Sequence, residues 1–318
     1  MERRTIGSLD VTVVGIGCNN FGTRIDEVAT QAVVGAALDA GINFFDTADI
    51  YGGTRSEEFL GRALGTRRDE AVVATKFGMP LDEDRKGASA AYVRSAVEDS
   101  LRRLGTDRID LYQLHAPDPT VPIAETLGAL DELVRAGKVR EIGCSNFGAE
   151  QIDEAAQVGA DSGIARFMCV QNEYSLLQRA PEQGVLDACE RHGLAFLPYF
   201  PLASGLLTGK YRRDEEPPAG TRLAAMPAER RERALSAGRF DRVEKLSAWV
   251  EPRGRTLLEL AFAWLLARPA VASVIAGATK PEQVVANAKG ANWTLTAEEY
   301  AEIDEIMEHV PAHRNRHR

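Results

Sequence analysis

The sequence predicts an α/β chain folded as a closed, parallel (β/α)8 TIM barrel. Three observations carry that expectation. Short apolar runs alternate with amphipathic stretches through nearly all of the 318 residues, and together they make eight β-then-α units. No G-x-G-x-x-G follows the first strand; Gly15-Ile16-Gly17-Cys18-Asn19-Asn20-Phe21-Gly22 is a different glycine pattern, which argues against an open dinucleotide-binding sheet. Polar residues stand after many of the strands, as a shared barrel mouth requires.

Residues 5–9 with 11–13 read as a small N-terminal hairpin that closes the barrel bottom. The first barrel strand spans 11–16, with a helix over 27–40. Strand–helix pairs follow at 42–45 with 56–64, 71–75 with 90–104, 109–114 with 123–136, 139–144 with 150–158, and 167–170 with 181–191. The seventh strand, 195–199, reaches its helix at 256–267 only after a long insertion, and 271–275 with 281–289 completes the series. That insertion, 205–238, contains Glu215-Glu216-Pro217-Pro218-Ala219-Gly220. A loop of such length in a compact domain commonly serves as a lid or cofactor clasp. Thr296 caps an extra C-terminal helix, with Glu299 at the capping-box position three residues on.

The chain 1–318 reads as one domain, with a basic, mobile tail at 311–318. A net charge of −9 argues against a nucleic-acid partner. Cys18, Cys144, Cys169 and Cys189 lie far apart, without disulfide or zinc spacing, which fits a reducing cytoplasm. No apolar run approaches the ~18 residues that cross a membrane. The first five residues lack the apolar segment of a signal peptide.

Asp46, Tyr51, Lys76 and His115 stand at or just past the ends of the second, third and fourth strands. A free phenol titrates near ~10, too high for a ready acid at neutral pH, and a nearby ammonium lowers it. Lys76 can supply that charge, Asp46 can hold Lys76 charged and oriented, and His115 can donate to the oxygen that Tyr51 protonates. The set suits reduction of a carbonyl, with hydride reaching carbon and a proton reaching oxygen. Each residue alone has a structural explanation: a helix cap, a rim aromatic, a solvated charge, a histidine locked to a carbonyl. Four such coincidences at one barrel face are much less economical than a site.

These residues also carry a resemblance. Asp46-Thr47-Ala48-Asp49-Ile50-Tyr51-Gly52 resembles the D-T-A-x-x-Y-G signature of the aldo-keto reductase superfamily, in the branch related to potassium-channel β subunits. Ala74-Thr75-Lys76 and Leu111-Tyr112-Gln113-Leu114-His115 are similar to its catalytic lysine and histidine segments. The resemblance implies a TIM barrel of NAD(P)H-dependent oxidoreductases without a Rossmann motif. It also implies Tyr51 as general acid/base, Lys76 and Asp46 tuning it, and His115 orienting the carbonyl. On the cofactor side it implies Ser145, Asn146 and Gln171 on the nicotinamide carboxamide, and Tyr199 stacked on the ring. Phe200, Pro201, Leu202, Ala203, Gly205 and Lys210 embrace the pyrophosphate, with Cys18, Asn19 and Asp46 beside them. Gly277, Thr279, Gln283 and Asn287 grip the adenosine end, where a helix N-terminus favours anions. Gly277 and Gln283 stand where many of these reductases carry a lysine and an arginine. Lys210, Lys280 and Arg222 can replace that charge, so NADPH is expected over NADH.

Asn20, Phe21, Ile50 and Phe77 adjoin the motif positions and are expected to line the substrate mouth, for either a sugar-like or a plain aldehyde. A regulatory NADP(H)-sensing subunit is the alternative. The potassium-channel β subunits that resemble this branch lack a histidine at the position of His115, which this chain keeps. Lys76 could instead form a Schiff base, as in an aldolase, but a protonated lysine opposes that. No metal is expected, since only His115 among five histidines sits at a strand end. The expected partner is a small carbonyl or alcohol substrate.

Overall fold

The computed structural model describes residues 1–308, so the basic tail lies outside the described residues. Strands β1 (Arg3–Ile6) and β2 (Leu9–Thr12) pair antiparallel through a turn at Gly7-Ser8. Gly7 holds φ +57°, and a Cβ there would meet Glu141 Cδ at 2.5 Å. The barrel follows as β3 (Val14–Gly17), β4 (Phe44–Asp46), β5 (Val72–Phe77), β6 (Ile109–Leu114), β7 (Val139–Ser145), β8 (Cys169–Glu173), β9 (Ala195–Tyr199) and β10 (Val274–Gly277). Every pairing in it is parallel, and β10 closes the ring between β9 and β3. The fold is a (β/α)8 TIM barrel.

Outside the strands lie α1 (Glu27–Asp39), α2 (Arg55–Leu64), α3 (Ala90–Leu104), α4 (Ile123–Arg135), α5 (Ala149–Ser162) and α6 (Val185–His192). They are followed by α7 (Ala228–Ala234), α8 (Ala237–Val250), α9 (Leu257–Leu266), α10 (Pro281–Gly290) and α11 (Ala297–Glu308). Apart from α7, which buries no residue, the helices bury an apolar stripe, as with Val93, Val97, Leu101 and Leu104 of α3. Ser89 starts α3 by accepting from Tyr92 N, and Gly105 ends it at φ +62°. Thr296 N donates to Glu299 Oε2 at 2.9 Å and Glu299 N to Thr296 Oγ1 at 3.1 Å, so the expected capping box forms. Among the described residues no helix is long and apolar enough to cross a membrane.

Two expectations need correction. The first barrel strand begins at Val14, not at residue 11. Asn43 accepts from Thr12 N at 2.8 Å and donates to Asp10 O at 2.8 Å, which keeps 10–12 with the hairpin on the barrel floor. The stretch after β9 is also not one long loop up to 238 with nothing regular before 256. It contains a 3-10 turn at Ala203–Thr208 and then α7 and α8. Helix α8 buries Phe240, Val243, Leu246, Trp249 and Val250, a helical spacing masked by the charged, proline-rich stretch before it.

Strand alternation positions the site. Ile6, Leu9 and Val11 of the hairpin plug the barrel floor against Phe44, Ala74, Leu111, Cys169 and Leu197. Side chains of a strand repeat faces every second residue. Asp46, Lys76, Gln113, Gln171 and Tyr199 therefore face inward one layer nearer the C-terminal mouth.

Candidate active site

Asp46 and Lys76 form a buried ion pair, Nζ to Oδ2 2.6 Å, with side-chain exposures of 4% and 1%. A second ammonium hydrogen goes to Thr47 O at 2.8 Å. Asp46 Oδ1 accepts from Gln171 Nε2 at 2.8 Å and from Gln113 Nε2 at 3.2 Å. Two buried charges survive only with such saturation, because desolvation alone costs several kcal/mol per ion. Burial pushes the Lys76 ammonium toward neutrality, but Asp46 and Tyr51 outweigh it and hold its pKa above the ordinary value. A lysine kept charged is a poor Schiff-base nucleophile.

Tyr51 is reached through a turn tied to β5. Thr47 N donates to Ala74 O at 2.8 Å, Asp49 N to Lys76 O at 3.0 Å, and Tyr51 N to Ala48 O at 3.1 Å. Gly52 then takes φ +64°, and a Cβ there would stand 2.6 Å from Phe21 O, which only glycine permits. The Lys76 ammonium lies 5.1 Å from the centre of the Tyr51 ring. Burial raises the phenol above its usual pKa, and the Lys76 charge pulls against that rise without cancelling it. The rings of His115 and Tyr51 meet nearly at right angles, with 5.7 Å between their centres. Burial, then the Lys76 charge, pushes the imidazole down to about 3, so it is neutral at pH 7. Its Nδ1 is buried without a partner. A neutral imidazole can donate a hydrogen bond but is no ready proton source at pH 7.

The four groups meet at an open cavity of about 850 Å³, with Asp46, Tyr51 and His115 on its wall and Lys76 beneath. Beside them on the wall are Asn19, Asn20, Ser145, Asn146, Gln171, Tyr199, Phe200, Pro201, Leu202, Gly205, Lys210, Arg222, Gly277, Thr279, Gln283 and Asn287. Asn146, at φ +62°, donates to His115 O at 2.9 Å and accepts from Tyr199 Oη at 2.8 Å. Ser145 Oγ donates to Gln171 O at 2.7 Å. Gln283 Oε1 accepts from Thr279 N at 2.7 Å at the start of α10. The Asn287 amide nitrogen and the Asn20 amide oxygen are buried on this wall without partners. Phe200, Ala203 and Ser204 all hold positive φ, a strained run for residues with side chains. Arg222 stacks on Phe200 at 4.8 Å, and burial followed by the nearby Arg24 charge lowers its pKa.

Some expected positions do not reach the cavity. Phe21 and Phe77 have no accessible surface and belong to the outer core, with Phe77 stacked on Tyr112 at 4.8 Å. Cys18 is fully buried, its thiol directed to Ile16 O at 3.6 Å. Ala203 is buried beside the wall and Ile50 lies off it. Conversely, sequence reasoning passed over Gln113 and Arg24. Gln113 shares the inward parity of Lys76, its register partner, and that parity was the available signal. Arg24 donates to Gly220 O at 2.8 Å, across the cavity from its own loop; no local pattern announces such a contact. Among the described residues no group of ligating side chains suits a metal ion.

Comparisons with known proteins show the family of the chain. The model of the aldo/keto reductase family matches residues 13–308. The chain is 35% identical over 314 residues to the aldo-keto reductase YhdN of Bacillus subtilis, covering 95% of this chain and 92% of that one. It is 35% identical over 299 residues to a probable voltage-gated potassium channel subunit beta of Oryza sativa, covering 92% and 91%. An uncharacterized oxidoreductase of Bacillus subtilis, YqkF, is 35% identical over 316 residues, covering 98% and 97%. A barrel whose mouth gathers a tyrosine, a histidine and a buried lysine–aspartate pair, matched along nearly its full length, belongs to the aldo/keto reductase family of oxidoreductases.

Proposed function

We propose that the protein is an NADPH-dependent reductase of small carbonyl compounds (aldehydes, ketones or sugars), running reversibly, with Tyr51 as the general acid/base. The observation that carries this reading is the saturated Asp46–Lys76 pair beneath Tyr51 on the floor of the cavity. The cavity residues fit a dinucleotide. Its volume is ample, Lys210, Lys280 and Arg222 bring positive charge to its wall, and the unpartnered Asn287 amide offers a donor there. Gly17 and Gly277 present bare backbone to the space.

When bound, the reduced nicotinamide supplies the hydride that reaches the carbonyl carbon. Ser145, Asn146 and Gln171 would hold its carboxamide, and Tyr199 would cover its ring. The segment from Phe200 to Lys210 would embrace the pyrophosphate, with Thr279, Gln283 and Asn287 at the adenosine end. Tyr51 gives its proton to the carbonyl oxygen as negative charge builds there, and neutral His115 donates a hydrogen bond to the same atom. Lys76 stabilises the phenolate left behind, and Asp46 keeps Lys76 charged. In the oxidative direction Tyr51 takes the proton back.

The likeness to a channel β subunit supports a second reading, a cofactor-sensing subunit with little turnover. A fluorescence titration with NADPH and NADH, followed by aldehyde-dependent loss of nicotinamide absorbance, separates the two. Tight NADPH binding with turnover is expected; binding without turnover on a broad carbonyl panel would move the weight to the sensor. Tyr51→Phe should lower turnover by at least about 100-fold, within the range of general acid catalysis, while leaving the NADPH dissociation constant nearly unchanged. Retained rates would remove Tyr51 from the acid role.

A further inference from the structure

We propose that Asp49 is a positioning residue for the proton-transfer site, a buried carboxyl that keeps the turn carrying Tyr51 in place only while it is uncharged. The proposal rests on the reading of Tyr51 as the acid. Asp49 is 1% exposed, and neither of its carboxyl oxygens has a side-chain partner, only the Ile50 backbone amide beside them. The neighbouring carboxylates are treated differently. Asp46 has Lys76, Gln113 and Gln171, while Glu57 has Arg103 at 2.6 Å and Thr75 Oγ1 at 2.6 Å. The backbone of Asp49 is tied to Lys76 O at 3.0 Å, and the residue stands between Asp46 and Tyr51 in the chain. A shift of Asp49 is therefore felt at three of the four site residues.

The groups around Asp49 are Glu57 of α2, Tyr92 and Arg103 of α3, Lys76 of β5 and Tyr112 of β6. Arg103 is committed to Glu57 and Lys76 to Asp46, so neither is left to pair with Asp49. The Tyr92 and Tyr112 hydroxyls are buried and unpartnered as well. A charged carboxylate without a cation or side-chain donor of its own is strongly disfavoured in such a place, whereas the neutral acid is tolerated. Burial, then the Glu57 charge, pushes the Asp49 carboxyl up to about 7, against the weaker pull of Arg103, the Ile50 backbone amide and Lys76. Rising pH thus puts charge where only the Ile50 amide of the same turn receives it, and the turn is strained.

The first test needs no variant. NMR of the wild-type protein labelled at the aspartate carboxyl carbon should show a signal titrating near neutrality. Absence of any aspartate titrating above about pH 6 would overturn the proposal independently of the reaction, since free aspartate titrates near ~3.9. The second test is Asp49→Asn, similar in shape and unable to ionise. A raised folded-state pKa loses stability as pH rises from 3.8, the ordinary value, to about 7. The variant should therefore gain melting temperature on the wild type across that window. Wild-type kcat for carbonyl reduction should fall about tenfold per pH unit above the carboxyl's pKa. In the variant it should stay level, with KM for NADPH unchanged in both. An equal fall in the variant would overturn the positioning role. A titrating aspartate and the stability gain, without turnover in either protein, would uphold the buried acid and overturn the reductase reading instead.

Discussion

Lys76 has no accessible surface and yet stays charged, because its hydrogens go to the Asp46 carboxylate and the Thr47 carbonyl. Lys76→Met should therefore cost more than a lost contact: it strands the Asp46 charge in the barrel interior. Removing one partner of a buried pair costs about 3–5 kcal/mol, and Gln113 and Gln171 place this case at the lower end of that range. Urea unfolding would measure the loss, and an unchanged midpoint would mean that the pair adds nothing to stability. Legibility at this scale followed the motifs. The residue types and order around Asp46, Tyr51, Lys76 and His115 were informative, and they do converge. Adjacency in sequence was a poor guide. Phe77 follows Lys76 and Cys18 follows Gly17, so alternation turns both away from the cavity and into the outer core.

At the scale of elements, close approach of α2 to α3 depends on Gly61. A Cβ there would sit 2.2 Å from Leu104 O, a backbone atom that cannot swing aside. Alanine would improve helix propensity by up to ~1 kcal/mol, but forcing helices apart typically costs about 1–3 kcal/mol. Gly61→Ala should lower the thermal midpoint; a rise would show that the helices separate freely. The segment after β9 makes a second case. Arg222 is fixed on Phe200, and Arg24 reaches the same segment at Gly220. Arg222→Ala should weaken NADPH more than NADH, by about tenfold if one charge-assisted bond to the 2′-phosphate is lost. Equal weakening would separate Arg222 from that phosphate. Most strands and helices were legible within a few residues because each has its own period and breakers. Helix α8 was missed although its apolar spacing is regular, because the charged, proline-rich stretch before it reads as loop.

For the whole molecule, the cavity wall draws on residues from Gly17 to Asn287, so ligand binding is linked to folding of the complete barrel. NADPH at 100 times its dissociation constant should stabilise the native state by about 2.7 kcal/mol. For a domain of this size that raises the melting temperature by about 5 °C, as differential scanning calorimetry would read. No shift would argue against binding in the cavity. The sequence by itself determined the barrel class, the order of its units and the four reactive residue types, since periodicity and strand-end placement are local properties of the chain. Tertiary structure alone decided that Gln113 and Gln171 saturate Asp46, that Arg24 meets the segment of Arg222, and that Asp49 is left without a side-chain partner. Those facts depend on which strands become neighbours when the sheet closes, and on the desolvation that closure imposes.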